Sequence, residues 1–482
     1  MAAAFSDIPE KNTRYWAALY AVFLALMLLS GGISQPSQSM VYVHTIAGSV
    51  MLVLSLLRLA TRGFPSGLAK MGSCLAAAGL GLVLAQLIPL PFSLWNYLPD
   101  HLLALKNLEL LGQTPGAMPL SLTPEHTSAI AISILPALAG FFGALTISPR
   151  QFMMCGLVVI ACTTIGVIFS LLQIAQGANS IFYLYEPEPT LGIGTFNNRN
   201  FFAAQLYTAI IFVGIVFAQL RQNRSGRLIS ETLFAVVLVG ILLAGLALTG
   251  SRSGILFAMV AIPAGLVVAQ IRPADGTGLR RSSAVIVATL VGIFIVAQSS
   301  MLGLLRLATN DVVEKSRLLI FERSLPVLAH TFPTGSGFGS FVPMYQLFET
   351  PRMITPYIVN HAHNDWLEIA IEGGLPSILL EAAFLILILF LFLKIWRPSD
   401  AGQLMPFQRG CVVAALLLMA HSLVDYPLRT PAMMTLFAFC CAVILVPISL
   451  GSRKANKRKM KSGAKVQEAF RGTPDSFKPN IH

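Results

Sequence analysis

Charge is what this chain has least of. Only 11% of its 482 residues are Asp, Glu, Lys or Arg, while 55% are hydrophobic, against about 25% charged in an ordinary soluble domain. A water-soluble globule is excluded. Cysteine is equally uninformative as a scaffold: the six thiols, at 74, 155, 162, 411, 440 and 441, all fall inside apolar runs, with no CxxC and no loop pairing. A disulfide framework or zinc knuckle is therefore not expected. The chain also lacks GxxxxGK[ST], a DxD pair and HExxH. A cytoplasmic nucleotide-dependent transferase or kinase and a helical zinc protease have nothing to stand on.

What is present in quantity is apolar sequence long enough to cross a bilayer, at about 20 residues per crossing. Twelve spans are expected, near 15–33, 42–60, 68–90, 127–147, 151–175, 201–219, 231–249, 254–271, 283–302, 375–394, 408–424 and 431–449, with boundary error of roughly 2 to 4 residues. The fold class is an all-α polytopic membrane protein. No small-residue cleavage site follows the first run, so it reads as a retained helix and not a signal peptide.

With the N-terminus inside, 24 of the 33 Lys and Arg fall on cytoplasmic loops and ends, as the positive-inside rule requires. The net charge of +12 is thus topological and does not indicate nucleic acid. The lysine-rich tail, 451–482, reads as an anchor beside anionic lipid. The long loops lie on the other side, near 91–126 and 176–200, with the largest between spans nine and ten at 303–374. The organisation is then spans one to nine over 1–302, that loop, spans ten to twelve over 375–450, and the tail. Chemistry is expected outside, where nucleotide donors are absent.

Three polar clusters stand at the outer ends of spans. The largest loop contains glycines Gly335, Gly337 and Gly339, which let backbone turn sharply or approach a ligand, followed by His361, His363, Asn364, Asp365 and Glu368. The junction GTFNNRNFFAAQ places Arg199 among asparagines, and LTGSRSGILF places Arg252 in the turn between spans seven and eight. An arginine near hydrocarbon costs a few kcal/mol on insertion scales, so each points to an anionic partner; a snorkelling helix cap is the alternative. Two outward guanidiniums suit the diphosphate of a lipid carrier. A nearby histidine suits removal of a proton from an attacking hydroxyl, and the chemistry these parts fit is glycosyl transfer. Zinc held by His361, His363 and Asp365 is the rival reading, although HxHxD lacks the helical i, i+4 pairing. GSRSG around Ser253 departs from the G-x-S-G of a rhomboid-like protease.

Secondary candidates follow. His421 and Asp425, four apart on span eleven, are read as facing one another on a helix, either as a membrane-buried polar network or, the favoured reading, as a latch joining spans eleven and twelve to the active loop. Glu368 is a candidate to orient a histidine, and Glu372 with Gly373 and Gly374 reads as the turn into span ten. Lys315, Arg317 and Arg323, interleaved with Glu314 and Glu322, read as an outer helix with i, i+3 or i+4 charge pairs or as phosphate contacts.

The run HAHNDWLEIAIEGGLP after GSGFGSF, with an outer arginine in GTFNNRN and another in SRSG, resembles the O-antigen ligase and polymerase superfamily. PLSLTPEHT and HSLVDYPLRTP are also similar to members of this group. The resemblance implies a GT-C-like, metal-independent, inverting glycosyltransferase of the bacterial inner membrane. It would need no cofactor and would take glycan from undecaprenyl diphosphate at the periplasmic face. It carries diphosphate binding to Arg199 and Arg252 and the acceptor-activating base to His363, with His361 in support. The expected partners are the carrier-linked glycan and either a lipid A-core acceptor, as in a ligase, or a second carrier-linked unit, as in a polymerase. A lipid-linked oligosaccharide transporter is the non-enzymatic alternative. It would call for two related halves, whereas the ionisable cluster here is concentrated in the second half.

Overall fold

The computed structural model describes residues 10–34, 38–98, 101–113, 116–185, 191–223, 228–270, 312–350, 358–396 and 405–447. The expected ninth span, 283–302, and the basic tail, 451–482, lie outside the described residues. The helices that matter here are α1 (Glu10–Ser30), α2 (Gln38–Arg62), α3 (Gly67–Ala85), α4 (Pro124–Ser133), α5 (Leu135–Thr146), α6 (Phe152–Gln176), α7 (Arg199–Asn223), α8 (Leu228–Thr249), α9 (Arg252–Gln270), α10 (Val312–Thr331), α11 (Phe341–Leu347), α12 (Asp365–Trp396), α13 (Met405–His421) and α14 (Pro431–Leu445). Among the described residues nine helical stretches are long and apolar enough to cross a membrane, with α4 and α5 forming one of them; α13 and α14 are shorter apolar helices. The only sheet among the described residues is a small antiparallel pair, Pro89–Pro91 (β1) with Ala117–Pro119 (β2).

The bundle is built around α7, of which 94% of the Arg199–Arg221 stretch is buried. At 1.5 Å per residue its 25 residues extend roughly 37 Å, more than the hydrocarbon thickness. It packs on α6, α8, α9 and α13. The crossing with α9 is close: a Cβ on Gly214 would lie 2.4 Å from the Gly265 carbonyl oxygen, so small residues let the two backbones meet. A second layer places α5 against α2 and α14.

Loop contacts collect one set of helix ends. The amide of Asn197 donates to Gly32 O, that of Ala432 to Gly31 O, and that of Gly192 to Leu248 O. Gln86, just past α3, donates to Glu372 O on α12. At the opposite end Ser66 donates to Leu445 O and Gln408 to Val446 O. These contacts gather the ends of α1, α3 and α8 with the starts of α7 and α14 at one end, and the starts of α3 and α13 with the end of α14 at the other.

The segment expected as the largest outer loop contains regular structure. Helices α10 and α11 lie within it, and α12 begins at Asp365, ten residues before the expected span at 375. The expected turn at Glu372–Gly374 is a break inside α12, where Gly374 has φ 62. The helix expected to carry both His421 and Asp425 stops at His421. Pro427 ends the run, leaving Asp425 in the turn before α14.

Candidate active site

Four helices begin at the end where these contacts gather, each behind a capping side chain. Asn198 accepts the Asn200 amide ahead of α7, Ser251 the Gly254 amide ahead of α9, Asn364 the Leu367 amide ahead of α12, and Thr430 the Met433 amide ahead of α14. Ser, Thr and Asn are favoured at such positions because they satisfy orphan amides. Arg199 and Arg252 are consequently the first residues of their helices. A cation there opposes the positive end of the helix dipole, at roughly 0.3–1 kcal/mol each. A cation there is not a structural cap for the helix, and an anion brought to such a helix start would meet the guanidinium and the helix dipole together.

The loop before Arg199 is fixed by Gln173 of α6, whose side chain accepts the Ile193 and Gly194 amides and donates to Gly194 O. The two arginine-bearing ends are joined directly: the Ser251 hydroxyl donates to Asn200 Oδ1 at 2.7 Å. Asn200 Nδ2 in turn donates to Asp425 Oδ2, also at 2.7 Å.

Asp425 is the junction of the site. Its fully buried carboxylate takes Asn200 and, at 2.9 Å, Arg317 on Oδ2, and the Tyr426 amide and His363 Nδ1 on Oδ1, at 3.1 and 3.3 Å. Burial opposes the charge, but the His363 hydrogen bond and the Arg317 guanidinium outweigh it and hold the carboxyl at about 2. A carboxylate beside Nδ1 is an acceptor for a proton carried there and fixes the orientation of the ring. His363 is also the only non-glycine residue with positive φ among the described residues, at 50°. Such backbone costs about 1–2 kcal/mol and concentrates at functional positions.

Beside this dyad lies a cage around Arg429. Its Nε is 3.0 Å from Asp365 Oδ1, one terminal nitrogen is 3.3 Å from Glu368 Oε1, and the other is 3.8 Å from Glu372 Oε2. Burial alone would lower the Arg429 pKa, yet Glu368, Glu372 and Asp365 together raise it. Glu368 also accepts from His361 Nδ1 and the Ala362 amide, both at 2.8 Å. The Tyr426 ring lies between the two histidines, with centroids at 4.3 Å from His361 and 5.0 Å from His363.

The structure thus brings His361, His363, Asn364, Asp365 and Glu368 together, and links them through Asp425 to the helix starts carrying Arg199 and Arg252. Glu368 orients His361, not His363. The glycines do not open onto free space: Cβ atoms at Gly335, Gly337 and Gly339 would fall 2.5 Å from Glu372 O, 2.2 Å from Ser121 Oγ and 2.7 Å from His126 Cβ, at φ values of 77, 103 and 86. Their role is to press the loop onto α12 and the first outer loop, where Glu372 Oε1 accepts the Gly339 and Phe341 amides. The three zinc candidates are each committed elsewhere, His361 to Glu368, His363 to Asp425, and Asp365 to Arg429 and Ser422.

His421 does not face Asp425 across a helix. Its Nδ1 meets Tyr207 Oη at 3.1 Å inside the bundle, a core contact. Arg317 reaches Asp425 in place of the expected charge pair along α10. The residues missed as site members are Asp425, Arg317, Arg429, Asn200 and Ser251. HSLVDYPLRTP signalled Asp425 and Arg429 by its polarity between apolar runs.

A polar, carboxylate-rich centre thus lies at one end of a helical bundle, with a histidine held by a buried carboxylate and two arginine-bearing helix starts joined to it by hydrogen bonds. Residues 235–382 match the protein-family model described as O-Antigen ligase, which bears out the resemblance to the O-antigen ligase-like superfamily. The matched stretch includes Arg252, Arg317 and the whole Gly335–Glu372 region. No curated protein matches the chain.

Proposed function

We propose that the protein is a glycosyltransferase that moves glycan from undecaprenyl diphosphate to a hydroxyl of a lipid A-core acceptor at the periplasmic face of the inner membrane. The observation that carries this reading is the continuous path Ser251–Asn200–Asp425–His363. It couples the base to both arginine-bearing helix starts within one frame.

In this reading His363 Nε2 takes the proton of the acceptor hydroxyl as its oxygen attacks the anomeric carbon. The bond from that carbon to the diphosphate oxygen breaks, and the electron pair leaves with the diphosphate. Arg199, Arg252 and the amides opening α7 and α9 receive the developing charge, a stabilisation in place before the reaction begins. Asp425 keeps the imidazole aimed and balances its charge once protonated. Attack and departure on opposite sides of the sugar carbon invert its configuration. None of these steps calls on a metal, and chelators should leave the activity unchanged.

A polymerase uses the same donor and differs in acceptor. The decisive experiment incubates the purified protein in lipid with carrier-linked glycan and either lipid A-core or a second carrier-linked unit. Glycan on lipid A-core is the expected product. Lengthened carrier-linked glycan would assign the polymerase instead, and movement of unaltered donor between leaflets would assign transport.

A further inference from the structure

A half-open apolar groove of about 370 Å³ lies between α3, α5, α12 and α14. Ala76, Gly79, Leu380, Phe384, Phe437 and Leu445 are representative of its walls. Its upper end reaches Phe338 and Ile369. That end is continuous with the site: the Phe338 amide is held by Gln86 Oε1 at 2.9 Å, and the same Gln86 donates to Glu372 O, whose side chain belongs to the Arg429 cage. At roughly 30 Å³ per water-sized group, the volume takes about a dozen such groups, the size of one hydrocarbon chain.

Two features say which chain. Among the described residues the only wall side chains with an oxygen or nitrogen atom are Ser377 and Glu381. Ser377 is already used, donating to Ile369 O and Gly374 O, whereas Glu381 has no hydrogen-bond or ion-pair partner among the described residues. An ionisable side chain in a membrane helix marks a ligand contact by default. Glu381 stands seven residues past the break at Gly374, about 10 Å deeper at 1.5 Å per residue. A polyprenyl chain has no polar atom at that depth. An acylated lipid has ester or amide carbonyls, and often chain hydroxyls, just below its headgroup.

The second feature is position. Arg199 and Arg252 open α7 and α9, neither of which lines the groove, while His363 and Asp425 connect to α7 on one side and, through the α12 start, to the groove wall on the other. Displacement at a sugar carbon requires nucleophile and leaving group on opposite faces. A carrier bound at α7 and α9 therefore leaves the α3–α12 side for the acceptor.

We infer that this groove binds an acyl chain of the acceptor, which is an acylated glycolipid entering from the bilayer between α3 and α12, with Glu381 hydrogen-bonded to its acyl carbonyl or hydroxyl. The inference rests on the proposed transfer reaction and adds where its second substrate is held. The test uses the full chain in vesicles, with lipid A-core and its fully deacylated, water-soluble form as acceptors. Gly79→Phe directs a ring into the groove with only Leu380 Cδ2 near its Cβ, at 3.7 Å; Glu381→Leu removes the polar contact. Native protein should prefer the acylated acceptor at least tenfold in kcat/KM. Both variants should raise KM for it tenfold or more, leaving KM for the carrier-linked donor and turnover with the deacylated acceptor unchanged. A lipid A-core carrying a diazirine in an acyl chain should label α3 or α12 in native protein and lose that labelling in Gly79→Phe, a readout independent of turnover. Equal use of both acceptors by native protein, or labelling confined to α7 and α9, would overturn the groove while the proposed function stands. No transfer to any acceptor would overturn the proposed function and the groove with it.

Discussion

Replacing Asp425 by Asn is the most demanding perturbation of the site, because it changes no volume and removes one charge. The carboxylate accepts on both oxygens: Asn200 and Arg317 on Oδ2, the Tyr426 amide and His363 on Oδ1. An amide accepts on one side and donates on the other, so it cannot serve both sets. Turning its NH2 toward Arg317 and Asn200 opposes donor to donor and leaves buried groups unsatisfied, at about 1–3 kcal/mol. Turning it toward His363 opposes only the Tyr426 amide and is the cheaper arrangement. The imidazole then carries its proton on Nε2, where the acceptor hydroxyl must deliver one. Loss of a correctly held general base lowers rates by roughly 10²–10⁴, and a wrong tautomer in a His–carboxylate pair falls at the upper end, ~10⁴. Single-turnover transfer from carrier-linked glycan to lipid A-core should fall by that factor, with donor binding retained. A variant within tenfold of native turnover, about 1.4 kcal/mol in barrier, would refute the assignment of His363 as the base aimed by Asp425.

Arg199→Ala, Arg252→Ala and His363→Ala should each abolish transfer while the protein remains in the membrane and carrier-linked glycan accumulates in cells. Normal surface polysaccharide in all three would end the assignment. Gly337→Ala places a Cβ 2.2 Å from Ser121 Oγ at φ 103, and should lower stability by about 1–3 kcal/mol, read as a drop in the thermal transition. Because Asp425 sits at about 2, below the usual ~3.9, its contribution is complete above pH 4 and lost as pH falls toward 2. The stability gap between native protein and Asp425→Asn should therefore close across that interval in acid-unfolding curves.

Much of this arrangement was readable along the chain. Apolar runs located most of the long helices among the described residues, and scarcity of charge made each outward polar residue conspicuous, so Arg199, Arg252 and His363 stand out as candidates. The failures have one physical origin. His421 and Asp425 obey helical spacing, and periodicity alone pairs them; the turn at Asp425–Pro427 instead separates them, sending one into the core and the other to the site. Arg317 has Glu314 three residues before it on paper, yet it reaches Asp425, 108 residues away. The glycines signal close approach, but sequence does not say to what, and they meet the chain's own backbone. Local pattern reports what a residue is able to do, whereas partners at 62 to 225 residues' separation are decided by how helices pack.

The two clusters divide the electrostatic work. Around Arg429 three carboxylates face one guanidinium, with His361 supplying a further donor to Glu368. Removing one member of such a buried group costs about 3–5 kcal/mol, so the cage acts as a rigid frame holding the start of α12 against the α13–α14 turn. Asp365 makes the same connection through Ser422, whose hydroxyl donates to its Oδ2 and whose carbonyl accepts its amide. The backbone between these anchors must pass His363 in a left-handed conformation, a strain that isolated sequence would relax. The cage commits Arg429 to its carboxylates, while Asp425 commits Arg317 and His363 to a separate cluster beside it. In the proposed reaction His363 would gain its proton beside the α12 start while negative charge develops at the starts of α7 and α9, so neither charge would draw on the Arg429 cage.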